Sequence, residues 1–329
     1  MKKEEKKKKS QRRYLPAWMK STPFLMSMIL LVMIVSFSVI TVVINGVQNF
    51  LTITNISNLL RQSAINGVIA LGMTVVILTG GIDLSVGSVV GLAGVMSASL
   101  LSRGFGIFLS LFLTIVVCSL VGLINAVFIF EGKVPQFIAT LGTMTSIRGL
   151  IMMLTSARTI SGLPREFTSF ANGAFLGLPL LFWVWILMAV ITHLMLRFTT
   201  FGRDIFSIGS NTEAARLSGI KVRRATYGVY FYSSLMCSIA GIMLTARLGN
   251  GVPTGGSGYE VDAIASAVMG GTSMTGAEGS VVGTFIGALI LQAFRNGGNI
   301  LGLNPHLMQV VIGLVIVAAV IIDKKGKVR

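Results

Sequence analysis

Residues 201–222 read FGRDIFSIGSNTEAARLSGIKV, a polar and basic island in an otherwise apolar chain. A membrane protein does not need such a loop in order to fold, and this one is large enough to dock a soluble partner. On both sides of it lie apolar runs, and crossing a bilayer as a helix takes about 20 mainly apolar residues. The runs fall near 24–44, 60–79, 85–102, 105–130, 135–155, 176–198, 225–247, 260–271, 279–294 and 307–322. They predict an all-α, polytopic membrane protein of about ten transmembrane helices. Residues 260–271 are short for a full span. Only Gly80-Gly81-Ile82-Asp83-Leu84 parts 60–79 from 85–102.

Composition agrees. The 329 residues are 53% hydrophobic and 12% charged, where soluble domains carry about a quarter charged residues. The net charge of +16 is not a nucleic-acid signature, because it is not spread over a soluble face. It sits in the N-terminal tail, in the 201–222 island with its flanks, and in the last six residues. Cys118 and Cys237 both lie inside apolar runs, which excludes a disulfide framework and a zinc site. The opening MKKEEKKKKSQRRYLPAWMK precedes an apolar run, Phe24 to Ile44, that is longer than the ~7–15 residues of a signal-peptide core. With no small-x-small cleavage site after it, this run is expected to be a retained first helix.

Lysine and arginine in short loops orient spanning helices, with the positive side in the cytoplasm. With the N-tail placed there, alternation puts Lys133, Arg197, Arg203, Arg216, Lys221, Arg223 and Arg224 on the same side. The predicted organisation is a basic cytoplasmic tail over 1–23 and a transmembrane domain over 24–323. A cytoplasmic loop lies at about 199–224, and a second basic tail occupies 324–329. An even number of spans leaves both termini inside.

Two glycine patterns stand out. Gly87-Ser88-Val89-Val90-Gly91 recurs as Gly279-Ser280-Val281-Val282-Gly283, each copy after a Gly-Gly pair. The copies run in the same direction, so they do not make an inverted repeat. The spacing of Gly279, Gly283 and Gly287, and of Gly87 and Gly91, bares one helix face to close approach by a neighbour.

Charges at bilayer depth are costly and point to function by default. Arg148 lies about 14 residues past the inner end of its run, deep in the membrane at 1.5 Å per residue. Glu260, Asp262 or Asp83 could partner it, in a structural ion pair or beside a path for a polar solute. Asp83, in GGIDLSVGS, either lines a broken helix open to water or caps the following helix. Asn66, Asn125, Gln136 and Thr140 could hydrogen-bond solute hydroxyls, or one another between helices. Motifs for catalysis are missing: there is no G-x-S-x-G, no H-E-x-x-H, and no G-x-x-x-x-G-K-[ST]. The chain is therefore expected to be no enzyme, and any ATP that drives it must be hydrolysed by another subunit.

Several segments carry a resemblance: LGMTVVILTGGIDLSVGSVVGLAG, VPQFIATLGTMTSIRGL, GRDIFSIGSNTEAARLSGI, GYEVDAIASAVMGGTSMTGAEGSVVGTFIGALI and QVVIGLVIVAAVIID, in that order. From about residue 50 onward the chain resembles the permease subunits of bacterial ABC importers for ribose and related simple sugars. That family also includes permeases for autoinducer-2. The resemblance implies the ABC importer permease fold in a bacterial plasma membrane. It implies a cytoplasmic ATPase partner that holds ATP and magnesium, an extracytoplasmic sugar-binding protein and a second permease subunit, identical or paralogous. No cofactor or metal is implied for this chain, and no nucleic acid. Glu213, Ala214, Ala215, Arg216 and Gly219 look like the coupling helix that meets the ATPase. The local physics agrees: Asn211 or Thr212 can start a helix, Glu213 favours its positive end, and Gly219 can stop it. An ion-coupled secondary transporter is the alternative, though its usual relay of intramembrane acids and histidines has few candidates here.

Overall fold

A computed structural model describes residues 22–327. The tail up to residue 21 and the last two residues lie outside the described residues. The chain is helical almost throughout, as expected. Helix α1 (Thr22–Asn45) is apolar around its circumference and largely exposed, as suits a helix in contact with lipid. Helix α2 (Ile53–Leu78) is the reverse. It is buried from Ser63 to Leu78 and forms the central post, as a helix apolar on all faces must when neighbours surround it. Helices α3 (Val86–Ser102), α4 (Ile107–Phe130) and α5 (Gln136–Thr155) follow in antiparallel order.

The run expected over 176–198 is realised differently. A short helix, α6 (Arg165–Asn172), leads into a two-stranded hairpin, β1 (Ala174–Phe175) and β2 (Leu178–Pro179). Only then does α7 (Leu180–Phe198) begin. The basic island folds as two helices, α8 (Thr200–Ser210) and α9 (Thr212–Leu217), before the long α10 (Val222–Leu248). The chain closes with α11 (Tyr259–Met269), α12 (Val281–Ile300) and α13 (Pro305–Lys327). The bundle thus has a loop end, which carries α8 and α9, and a far end, which carries α6 and the hairpin.

Helices α1, α2, α3, α4, α5, α7, α10, α11, α12 and α13 lie on the apolar runs of the sequence. Six are long and apolar enough to cross a membrane, namely α1, α2, α4, α5, α7 and α10, among the described residues. Helix α3 is shorter, at 17 residues. Helix α11 has only 11, and its neighbourhood explains why. Residues 249–258 are not helical; they run along α3 from beside Ala98 to beside Gly87. A β-carbon at Gly251 would sit 2.4 Å from that of Ala98, one at Gly91 would sit 2.7 Å from the Gly255 carbonyl oxygen, and one at Gly87 would sit 2.4 Å from that of Gly256. The bared face of α3 therefore receives a non-helical arm rather than a neighbouring helix. The arm is buried at Gly251, Pro253 and Gly256, while Thr254, Ser257 and Gly258 stay exposed.

Helix α12 packs on α11 in the expected way. Gly283 and Gly287 face the Gly270 and Ser266 carbonyls so closely that a β-carbon would approach them within 2.0 and 2.1 Å. Gly279 lies before the helix and is not part of this face. The two GSVVG copies also differ in register. Ser88 is inside α3, while Ser280 is the N-cap of α12, where its side chain accepts from Gly283 N.

Candidate functional site

Helix α9 is built by its ends. Asn211, in extended backbone, accepts from Ala214 N at 2.9 Å and caps the first turn. Glu213 lies in that turn, where the helix dipole favours an acid, and pairs with Arg216 at 3.0 Å. At the other end Gly219 turns left-handed at φ +86°, a conformation open to glycine at little cost. Its amide, and that of Ile220, close the last turn on Arg216 and Ala215 carbonyls. Ala215 is the one buried residue of the helix, packed with Ile208 of α8 and Ala225 of α10. Glu213, Ala214 and Arg216 face outward, and Leu217 is 83% exposed. The outward face of α9 therefore presents Leu217 beside the Glu213–Arg216 pair, on a helix held from behind by Ala215.

Helix α8 joins this surface to the bundle core. Gly209 packs against the end of α2, where a β-carbon would stand 2.0 Å from Leu78 O and 2.6 Å from Ala277 N. Those two atoms are themselves hydrogen-bonded at 2.9 Å. One glycine of α8 therefore touches both the end of the central post and the segment between α11 and α12.

Beside that junction lies the break between α2 and α3, where four of the polar residues singled out in the sequence converge. Asp83 is fully buried. Its carboxylate accepts from Ser85 N at 3.0 Å, Ser85 Oγ at 2.6 Å and Ser233 Oγ of α10 at 2.8 Å. Asn125 of α4 donates to Ser85 Oγ at 2.9 Å. Gln136 Oε1 accepts from Tyr230 at 2.9 Å and packs on Gly81. Thr140 donates to the Gln136 carbonyl at 2.9 Å and lies 3.4 Å from that of Ile82. Asp83 is thus enclosed: it holds Ser85, the residue from which α3 starts, and ties it to α10, without itself capping an amide of the first turn.

Arg148 is in salt-bridge contact with none of the expected acids, though the Glu260 carboxylate acts on its charge from a distance. Its Nη1 donates to the Gly255 carbonyl at 2.9 Å, satisfying backbone in the non-helical arm. Glu260 lies along the same face of α3, with Oε2 close to Gly87. Asp262 is committed elsewhere, to Arg295 of α12 at 2.5 Å. Asn66 is remote from the Asp83 group and donates to Gln292 of α12 at 3.4 Å. The partners Ser85, Tyr230, Ser233, Gln62, Gln292 and Arg295 were not singled out in the sequence. Gln62 and Gln292 carried the available signal, an amide in an otherwise apolar run.

A helical bundle threaded by a glycine-broken core, with six helices long and apolar enough to cross a membrane among the described residues, is of the polytopic membrane class. The chain matches the family described as branched-chain amino acid transport system / permease component over residues 55–320, and it belongs to that family. It is 44% identical over 290 residues to the ribose import permease protein RbsC of Bacillus subtilis (strain 168), covering 87% of this chain and 90% of that one. The RbsC protein of Escherichia coli (strain K12) is 39% identical over 321 residues, covering 96% and 98%. The D-allose transport system permease protein AlsC of the same strain is 36% identical over 282 residues, covering 84% and 85%. No solved structure matches the chain.

Proposed function

We propose that the chain is the membrane-spanning permease subunit of an ATP-driven, binding-protein-dependent importer that translocates a simple, ribose-like sugar. Relatives similar along nearly their whole length carry ribose and allose in their names, and the chain has no phosphate-binding loop of its own. ATP and magnesium belong to a cytoplasmic ATPase subunit that receives α9. The loop end is then cytoplasmic, with both termini on that side, and the ten helices on the apolar runs cross a bacterial plasma membrane. A second permease subunit, identical or paralogous, completes the pore. Helix α5 favours this reading, because Gly142, Thr145, Ser146 and Gly149 lie exposed on it, and small and polar residues there suit protein or solute better than lipid. An extracytoplasmic sugar-binding protein meets the far end.

The observation that carries the proposal is the link from the outward face of α9, through Gly209, to the break beside Asp83. Closure of the ATPase would push α9, and α8 would pass the push to α2 and to the segment before α12. The test uses Glu213→Arg and Gly219→Pro. The first inverts charge on the presented face. The second demands φ near −65° where the backbone has +86°. Both should lose uptake while the protein still inserts, and normal uptake in both sinks the coupling role. Uptake driven by an ion gradient, by the purified chain alone, would establish the secondary-transporter alternative instead.

A further inference from the structure

At the loop end a cavity of about 790 Å³ opens between α4, α8 and the first turns of α10, beside the turn that closes α9. That lies within the ~300–1,000 Å³ range of small-molecule sites. A second cavity, of about 580 Å³, shares Lys221, Arg224 and Tyr227 with it and adds Phe130, Arg216 and Arg223. Helix α10 is apolar enough to span a membrane from Val222 onward, and α4 as far as Phe130. Lys221 and Arg224 therefore stand where the apolar spans begin, at the level of lipid head groups.

The charges around these cavities do not cancel. Arg223 is paired with Glu131 at 2.6 Å and Arg216 with Glu213 at 3.0 Å. Lys221 and Arg224 have no acid within salt-bridge distance among the described residues. One carboxylate, that of Asp204, shares the larger cavity with them. Two unpaired cations against one acid leave an excess of positive charge. Deeper in, the lining turns apolar and aromatic. Phe231 lies about 15 Å along α10 from Lys221, at 1.5 Å per residue, and Leu123 of α4 lines the same cavity. Phe231 is 38% exposed, and Leu120, Ile124 and Val127 beside Leu123 on α4 are exposed as well, so this side of the bundle faces lipid. A small anion would pair with Lys221 and Arg224 and leave the apolar wall uncovered. A neutral lipid chain would cover the wall and leave the cations unpaired. A molecule with an anionic head at the level of Lys221 and a chain running inward past Phe231 meets both. Asp204 adds that the head carries hydrogen-bond donors as well as phosphate, as glycerol hydroxyls do.

We propose that this cavity is a binding site for an anionic phospholipid, its phosphate held by Lys221 and Arg224 and its head-group hydroxyls donating to Asp204. Basic pockets between spanning helices on the cytoplasmic side suit such head groups. Ser218, Gly219 and Ile220 line the cavity, and the amides of these three residues close the last turn of α9. A lipid seated there would brace α9 from the membrane side. The inference rests on the reading of a membrane permease whose loop end lies in the cytoplasm, and not on which solute is carried.

The test uses phosphatidylglycerol as the probe and phosphatidylcholine as its uncharged counterpart. The complex of permease and ATPase, purified in neutral detergent, is titrated with each lipid, and bound lipid is counted by native mass spectrometry. Each cation beside an anionic head group is worth about fivefold in affinity. Lys221→Gln should therefore weaken phosphatidylglycerol binding about fivefold, and the double change Lys221→Gln, Arg224→Gln about thirtyfold. The exchange Lys221→Arg, Arg224→Lys keeps both charges and should retain binding. Arg158→Gln, Arg165→Gln, which removes two exposed cations toward the far end, should leave it unchanged. Phosphatidylcholine should bind weakly and equally to all of them. Equal phosphatidylglycerol affinity in the wild type and the double glutamine variant overturns the site. Displacement of the lipid by an equal concentration of inorganic phosphate overturns it too, because the cavity would then hold a soluble anion. Binding that appears only once the ATPase is removed assigns the cavity to that partner and likewise overturns the lipid. No readout involves sugar: a complex that binds lipid as predicted yet imports no sugar overturns the importer reading and not the site.

Discussion

Gly209→Ala isolates the step from the α9 surface to the core. The added β-carbon would lie 2.0 Å from Leu78 O, and side-chain carbons essentially never approach within 3.0 Å. Moving from 2.0 to 3.0 Å requires α8 to retreat by at least 1.0 Å, or the end of α2 to give way. The atom struck is backbone, so no flexible side chain can absorb the change. Overpacking of this kind costs about 1–3 kcal/mol. Should the Ala277–Leu78 hydrogen bond break as well, stranding a buried group adds about 1–3 kcal/mol. Even the smaller figure matters: about 1.4 kcal/mol shifts a two-state equilibrium tenfold. The assay compares sugar uptake with ATP hydrolysis in the complete transporter and adds thermal inactivation of the purified complex. The variant should insert, retain its ATPase subunit, inactivate at lower temperature, and move about tenfold less sugar per ATP. Wild-type uptake per ATP together with wild-type thermal stability would refute the reasoning, because α8 would then not be a rigid strut.

The remaining predictions concern side chains with countable partners. Asp83→Ala strands donors from Ser85 and Ser233 and should destabilise by about 2–4 kcal/mol. Asp83→Asn keeps an oxygen for Ser85 and should cost less; equal thermal inactivation of the two variants would contradict the bracing of Ser85 and Ser233 by Asp83. Arg295→Met leaves the buried Asp262 unpaired, and the double change Arg295→Met, Asp262→Leu should recover part of the loss. The single change should fall below the ~3–5 kcal/mol of a fully buried pair, since Arg295 is 31% exposed; chemical denaturation measures both. Glu213→Ala removes an exposed pair of little worth, so thermal inactivation of the subunit should not change, and any uptake deficit must come from the docking contact.

The helices were legible because apolar runs of bilayer length have few alternatives. Helix α9 was legible in detail, since Asn211, Glu213 and Gly219 are local signals whose meaning does not depend on tertiary contacts. Helix α8 was not, because Gly202, Ile205 and Ile208 form its buried face within a stretch whose charges mask the spacing. The hairpin over 174–179 was hidden for a related reason: it continues an apolar run and shows only at Leu176 and Gly177, both at positive φ. Residues 249–258 had a visible signal in Gly249, Gly251, Gly255, Gly256 and Gly258. That signal marks irregular backbone, but not its course along Gly87 and Gly91, which needs both segments in place.

Pairing was the least legible feature. The sequence offers Glu260, Asp262 or Asp83 as partners for Arg148, yet Asp262 turns to Arg295 and Arg148 donates to a backbone carbonyl, with Glu260 acting on it only from a distance. A helix commits its side chains to faces, and which neighbour meets each face is a property of the packed bundle. The same limit applies at the break. Asp83, Asn125, Gln136 and Thr140 could each be named from the sequence as polar in an apolar setting. That they surround one helix break, with Ser85, Tyr230 and Ser233 between them, follows from α5 and α10 meeting at Gly81 and α4 reaching Ser85.

The central claim is that the outward face of α9 meets the ATPase and moves with it. Leu217→Cys places a thiol on that face, at a position 83% exposed, against a background of two buried cysteines. Cross-linking it to the ATPase subunit with a short bifunctional maleimide, with and without ATP, tests the claim most directly. A nucleotide-dependent cross-link at Leu217→Cys, absent when the cysteine is moved to Ser161 at the far end, is the predicted result. No cross-link in either nucleotide state, from a complex that still imports sugar, would contradict it.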